Sequence, residues 1–408
     1  MTWHPPVPRR ITDAAGTVWS VQRAWPGTSP GSYDMEVRCP DRNGVLAGHF
    51  SGGAFEAITV DDHRLPALAA ESAKGEMVVH RAHKRAVVRA PGTYIKVFRP
   101  GRALAAAASH NITAAALIEG GFDTPRLVSV GPDVLAFSRL AGRSFFELGQ
   151  SRAGITDQAG MTGQAGISDA AYAALWKRWS EAWVRSVTAA GSPSFQDSLH
   201  RLPLRDAEKE AASLQRWVGH WLRHSDGIAA AAPARAVLLA RAQAVTVSLL
   251  GAHPDPVGWA HGDLHDKQML GGQELGGQAL GGQTVLRAAP ALLDFDESCR
   301  AEAALDLANL DVHLELRWRQ KLLTSRRYAI AHAAVKSAAE HLHVSPDRFG
   351  AYAASTRLRL ACLYSFRPPW GAEAAGYLAS GHLPACNLPA GLLLTQGPAL
   401  PARIPIGA

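Results

Sequence analysis

The chain has 408 residues, 47% of them hydrophobic, enough to bury one large two-lobed core or two ordinary ones, which excludes a disordered chain. Its net charge of +7 is spread, +3 over residues 1–138 and +4 over 139–408, so no basic tail or face marks a nucleic-acid partner and none is expected. Cys39, Cys299, Cys362 and Cys386 lie far apart with no CxxC spacing, which argues against a zinc cluster or a disulfide framework. The opening residues MTWHPPVPRR hold no apolar run of signal-peptide length. The aliphatic stretch ARAVLLARAQAVTVSLLGA carries Arg235 and Arg241 within too short a span to cross a bilayer. A cytoplasmic location and no membrane partner are expected.

The first third alternates in short runs, DMEVRC, GVLAGHF, AFEAITV, EMVVHR, RAVVRA and TYIKVF, broken by turn pairs rich in Pro, Gly and Asn. That pattern predicts antiparallel sheet. After Pro100-Gly101 an alanine-rich segment predicts a helix over 102–119, ended by Gly120-Gly121. Two short runs, PRLVSV and VLAFSRL, then lead to a hinge at 136–142, beyond which the pattern is mostly helical. Ser168 caps a helix that Gly191 stops, and further helices are predicted over 204–224, 233–250, 302–322, 324–342 and 345–363. Two short repeats, AGITDQ-AGMTGQ-AGISD at 153–169 and LGGQE-LGGQA-LGGQT at 270–284, are too short and glycine-rich for a solenoid and read as surface loops. The expected architecture is α+β and bilobal: an antiparallel β-rich N-lobe over 1–138, with an extension at 1–75, and a mainly helical C-lobe over 139–408.

The densest chemistry lies in WAHGDLHDKQML, residues 259–270, and ALLDFD, residues 291–296. An apolar run, a turn dense in His and Asp, a return strand and a second apolar run are expected to form a hairpin. It would bring Asp263 and Asp294 to one end. Phosphoryl transfer needs such a pair, one carboxylate to accept the proton of an attacking hydroxyl and a second to hold magnesium against nucleotide phosphates. A dense cluster of His261, Asp263, His265 and Asp266 also suits zinc or manganese, which keeps a metal-dependent hydrolase as an alternative. Upstream, period-two alternation in TYIKVF puts Tyr94, Lys96 and Phe98 on one face and Ile95 and Val97 on the other.

These stretches resemble the H-x-D-x-x-x-x-N loop and the D-F-x metal motif of the aminoglycoside phosphotransferase and choline kinase superfamily. The resemblance covers roughly 80–340 and leaves 1–75 unexplained. It implies a protein-kinase-like fold and an ATP-dependent (or GTP-dependent) small-molecule kinase that uses Mg2+ and a hydroxyl-bearing acceptor. On it Asp263 is the catalytic base and His261 braces its loop. Gln268 and Asp294 are the metal ligands, and Lys96 contacts the nucleotide phosphates. Asp296 and the Asp306 of ALDLAN support the site from behind, Asp306 by bonding the catalytic loop. His265 stands where protein kinases keep a lysine aimed at the transferred phosphate. Backbone groups of 137–140 would meet the nucleobase. No Gly-Lys pair and no GxGxxG before Lys96 exist, so a P-loop is excluded. The phosphates would be covered by the turn at 89–92 or by the one at 83–85.

The sequence departs from the family's pattern in three places. Gln268 replaces the usual Asn, and Asp266-Lys267 replaces Pro-Gly beside the developing phosphate charge. The helix at 102–119 has no acid before Glu119, with His110 and Asn111 in the place of the glutamate that normally pairs the lysine. Lys96 is then held otherwise, or reached by Glu119, or catalysis is impaired, and a degenerate nucleotide-binding module is the alternative reading. The mildly basic C-lobe favours a neutral or anionic acceptor, unless Glu297, Glu302, Asp311 and Glu315 form an acidic mouth. Trp318, Tyr352, Tyr364, Trp370 and Tyr377 are assigned to core in preference to a substrate cleft.

Overall fold

The computed structural model describes residues 3–39, 43–150, 167–271, 289–368 and 370–380. The repeat-loop expectation falls almost wholly outside them. Residues 3–58 build a sheet of their own, a meander of β1 (Arg10–Thr12), β2 (Val18–Pro26), β3 (Tyr33–Arg38), β4 (Leu46–Ser51) and β5 (Ala54–Ile58). Alternation sends Trp19 and Val21 of β2 and Tyr33, Met35 and Val37 of β3 to one buried face.

A short helix α1 (Leu68–Ser72) leads to a second antiparallel sheet of β6 (Glu76–Arg81), β7 (Arg85–Ala90), β8 (Thr93–Phe98), β9 (Leu127–Val130) and β10 (Val134–Ser138). Its order is β6-β7-β8-β10-β9, with helix α2 (Ala103–Gly120) between β8 and β9. The alternation expected of TYIKVF holds. Val97 packs with Val45, Leu65, Leu68 and Met77, while Phe98 packs on the other face with Ala103, Leu135 and Phe137. Gly121 ends α2 at φ +95°, a conformation that an L side chain resists.

Beyond residue 142 come β11 (Arg143–Ser144), α3 (Phe145–Gly149), α4 (Asp169–Ala190), α5 (Pro193–Leu199), α6 (Ala207–His224) and α7 (Ala232–Gly251). Strands β12 (Val257–Ala260), β13 (Met269–Gly271), β14 (Ala291–Leu292) and β15 (Cys299–Glu302) follow, and then α8 (Ala304–Arg319), α9 (Ser325–His341), α10 (Pro346–Tyr364) and α11 (Gly371–Ser380). The molecule is a bilobal, protein-kinase-like α+β fold: a five-stranded antiparallel sheet with one helix, joined to a mainly helical lobe. The helical core is a row of indoles, Trp176, Trp179, Trp183 and Trp259, with successive centroids 5.3, 5.9 and 5.3 Å apart. Among the described residues one helix, Ala229–Gly251, is long and apolar enough to cross a membrane by length and composition. Here it contributes Ala234, Leu238 and Ala242 to a core shared with α6 and α10.

Helix starts follow their caps. Ser168 accepts from Ala171 N–H and Asp206 from Lys209 N–H, so α6 begins at Ala207 and not at 204. The helix expected from 302 starts at 304, because residues 299–302 are strand β15. The hairpin expectation is corrected here. Strand β12 pairs antiparallel with β15, Trp259 opposite Arg300, whereas β13 pairs with β14, Met269 opposite Leu292. Residues 261–268 therefore sit between two small sheets and not within one hairpin.

The first meander does not lie on the second sheet. Its apolar face covers Leu214, Val218 and Trp221 of α6, Leu238 of α7, and Leu358 and Cys362 of α10, with Trp3 edge-on to Trp221 at 5.4 Å. The end of the meander where β3 turns into β4 meets β6: Val45 N–H donates to Met77 O and Ala47 N–H to His80 Nδ1, both at 2.9 Å. The extension thus spans from the helices to the edge of the second sheet.

Candidate active site

The loop between β12 and β13 is held by one buried acid. Asp306, in the first turn of α8, accepts from His261 N–H at 2.6 Å and from Gly262 N–H at 2.9 Å. Burial raises the Asp306 pKa, and the His261 charge and these amides work against that rise. One helical turn on, Asn309 Nδ2 donates to Leu264 O at 2.9 Å, and Arg205 donates to Gly262 O at 2.6 Å. Gly262 has φ +85°, and a Cβ there would lie 1.9 Å from Glu297 O, so the close approach of loop and 295–297 turn requires glycine.

His261 is buried and donates through Nε2 to Leu293 O at 3.0 Å, while its Nδ1 faces Asp263 N–H at 3.4 Å. It braces rather than reacts. Asp263 keeps 45% of its side chain exposed and accepts a long 3.4 Å contact from Gln268 Nε2. The other end of that amide, Gln268 Oε1, is buried and has no partner. An orphaned carbonyl oxygen on an amide that contacts a carboxylate offers oxygen donors of the kind a hard cation takes.

Asp294 adopts φ +64°, a left-handed conformation uncommon outside glycine, Asn and Asp. Lys96 Nζ donates to Asp294 Oδ1 at 2.6 Å and to Asp296 Oδ1 at 2.7 Å, and Arg85 Nη1 donates to Asp296 Oδ2 at 3.0 Å. Burial would raise Asp294, but Lys96 and Arg85 outweigh it and hold its carboxyl well below the usual range. In Asp296 burial prevails over Lys96, aided by the Asp294 charge, and the pKa rises. Lys96 itself is raised: burial is overcome by the two carboxylates.

The missing helix glutamate is answered by this arrangement. Asp296 and Asp294 hold Lys96, while Glu119 is exposed near the end of α2. His110 serves packing instead. It contacts Pro125 O at 2.8 Å through Nε2, stacks on Phe295 at 5.0 Å, and lies 4.9 Å from Phe137. Burial lowers it to about 4.

Of the two turns expected to cover phosphate, the one at 82–84 opens on Arg85, which reaches the Asp296 carboxylate. The turn at 91–92 lies at the opposite end of the sheet, where Gly92 O accepts from Arg139 N–H at 2.9 Å. His265 is 4.0 Å from Asp263 and stacks on buried His313 at 5.1 Å. Burial lowers its pKa. Asp266 turns inward to Arg317, 3.3 Å from its Nε, and Lys267 lies 4.4 Å over the Phe146 ring. Neither faces the Asp263–Asp294 pair as the sequence suggested.

Three of the four acids of the expected mouth are paired: Glu302 is buried with Arg348, Glu315 pairs with Arg319 and Arg357, and Asp311 meets His332 at 2.6 Å, while Glu297 is exposed. Tyr364 and Trp370 line a cavity of about 520 Å³ between α8, α10 and α11, together with Val312, Glu315 and Leu360. Tyr352 is core, as expected; the Tyr377 side chain lies outside the described residues.

Sequence reasoning missed Arg85, Arg205 and Asn309. Only Asn309 carried a signal, three residues after Asp306 and hence on the same helical face.

The chain resembles solved small-molecule phosphotransferases. An aminoglycoside phosphotransferase, APH(3'')-Id, from Streptomyces rimosus is 17% identical at a TM-score of 0.42, covering 72% of this chain and 96% of that one. The macrolide 2'-phosphotransferase MphH from Brachybacterium faecium is 16% identical at 0.40, covering 74% and 88%. A choline kinase from Cryptosporidium parvum is 8% identical at 0.47, covering 78% and 92%. No family model and no curated protein match the sequence.

Proposed function

We propose that this protein is a phosphotransferase that moves the terminal phosphate of ATP or GTP to a hydroxyl of a small molecule. The observation that carries the reading is the convergence of Lys96, Asp294 and the unpartnered Gln268 Oε1 beside a partly exposed Asp263. Lys96 exchanges one of its carboxylate partners for nucleotide phosphate oxygens, with Asp296 keeping it in place. Asp294 and Gln268, with Asp263 near, would hold magnesium, which would supply charge neutralisation to the phosphates. Asp263 accepts the proton of the attacking hydroxyl as its bond to the terminal phosphorus forms and the bond from that phosphorus to the bridging oxygen breaks, the nucleoside diphosphate leaving. Gln268 Nε2 orients that carboxylate, and Asp306 fixes the loop backbone.

The metal-hydrolase alternative lacks a converged ligand set. His261 Nε2 meets Leu293 O, His265 Nδ1 accepts from Lys267 N–H and Asp266 Oδ2 meets Arg317, with Asp266 Oδ1 buried and unpartnered. Among the described residues the His and carboxylate groups that do converge are Asp62, His63 and His83, outside this loop. The degenerate-module alternative rested on the missing glutamate, whose place Asp296 takes. Measuring nucleoside diphosphate release over a panel of hydroxyl compounds decides the matter. Wild type should show acceptor-dependent release, and Asp263→Asn should lose it while still binding nucleotide. Equal turnover by Asp263→Asn would remove Asp263 from the mechanism.

A further inference from the structure

A group of cations lies near the site with no carboxylate of the described residues in ion-pair contact, although Asp34, Glu36 and Glu297 stand near enough to act on it. Trp25, on β2 of the first meander, carries the Arg81 guanidinium 5.1 Å from its ring centroid and that of Arg367 at 4.5 Å. Arg81 Nε and Arg367 Nη1 are both buried and have no hydrogen-bond partner. Among the described residues no carboxylate oxygen lies within 4.0 Å of a charged nitrogen of Arg81, Lys84 or Arg367. Two like charges held on one indole, each with an unspent buried N–H, are costly unless an anion or ordered water completes them. Burial, with the Arg23 charge adding to it, pulls Arg367 down to about 9.

The group is linked to the centre by two chains of contact. Arg81 ends β6, and the same turn leads to Arg85 on Asp296. Arg367 follows Tyr364, whose hydroxyl accepts from Arg317 at 3.1 Å, and Arg317 in turn holds Asp266 of the catalytic loop. Lys267 of that loop feels the Arg23 charge. Tyr364 also lines the 520 Å³ cavity. Trp25, Arg23 and Arg367 come from the first meander and from the end of α10, not from the sheet that carries Lys96.

We propose that the acceptor is an anion, a hydroxyl compound bearing a carboxylate or a phosphate ester, gripped by Arg81 and Arg367 across Trp25. Guanidinium forks suit both groups, since each offers two coplanar oxygens to paired N–H donors. The identification of the anion as an acceptor rests on the phosphotransferase reading. The anion site itself does not.

Titration calorimetry of the full chain with inorganic phosphate, with gluconate and with glucitol as an uncharged counterpart tests this. Wild type and Asp294→Ala should bind at least one anion with equal affinity and bind glucitol at least about tenfold more weakly. Tighter phosphate assigns an ester, tighter gluconate a carboxylate. Arg367→Gln and Arg81→Gln should each weaken the anion about tenfold or more while leaving magnesium-nucleotide affinity unchanged. Arg23→Gln, at an exposed position whose guanidinium stands 3.5 Å from Glu36, is the milder variant, and a smaller weakening there is expected. No anion binding by wild type, or equal binding by the arginine variants, overturns the proposal. So does binding lost in Asp294→Ala, which puts the anion in the nucleotide site. Anion binding without any nucleotide binding would sink the phosphotransferase reading and leave the anion site standing.

Discussion

Asp296 Oδ1 lies 2.7 Å from Lys96 Nζ, closing the ion pair that helix α2, with His110 at that place, does not supply. The partner of the lysine lies on the turn that also carries Asp294, and not on helix α2. Because Arg85 binds the other Asp296 oxygen, the carboxylate is fixed from two sides.

Removing its charge should therefore loosen Lys96 without emptying the site. Asp296→Asn is expected to lower kcat/KM about 10–100-fold, mostly through nucleotide KM. Steady-state kinetics at varied nucleotide checks it, and an unchanged KM would show that Asp294 alone positions the lysine.

Gly262 is where the loop can tolerate least. Gly262→Ala places a methyl against Glu297 O at a positive φ, so a stability loss of roughly 2 kcal/mol or more is expected, together with loss of activity. Urea unfolding measures the first, and a midpoint equal to wild type would contradict the packing described.

Two buried imidazoles give the fold a pH dependence. His80 accepts Ala47 N–H through Nδ1 and His110 lies against Phe295, and burial lowers each to about 4. Unfolded histidine takes its proton near 6.5, so between about 6.5 and 4 the unfolded chain binds more protons. Stability is full above the unfolded value and falls as pH drops through that window, by of order 3 kcal/mol for each group. Urea midpoints at pH 7, 5.5 and 4.5 should decline, and His80→Asn, whose carbonyl replaces Nδ1 as acceptor, should flatten the decline.

Much of the site was legible because its parts are local. Asp263, Gln268, Asp294 and Asp306 occur in short runs whose order and spacing carry the chemistry, and alternation alone put Lys96 on the Phe98 face. What was not legible is pairing across the chain. Asp296 and Lys96 are 200 residues apart, and no spacing rule announces that an aspartate will stand in for a glutamate. The β12–β15 ladder was hidden because β15, four residues long, sits directly before α8 and reads as part of the helix. Alternation in β2 and β3 told which face of the meander is apolar, but not that α6, α7 and α10 cover it. The acids of the supposed mouth looked free in sequence since their arginines, Arg348 and Arg357, come from α10.

The central claim is that Asp294 and its neighbours hold a magnesium-bound nucleotide. Thermal shift with ATP or GTP, with and without magnesium, on wild type and Asp294→Ala, tests it most directly. A magnesium-dependent rise in Tm for wild type that disappears in Asp294→Ala is the predicted result. No shift with either nucleotide, or the same shift in the variant, would contradict the account.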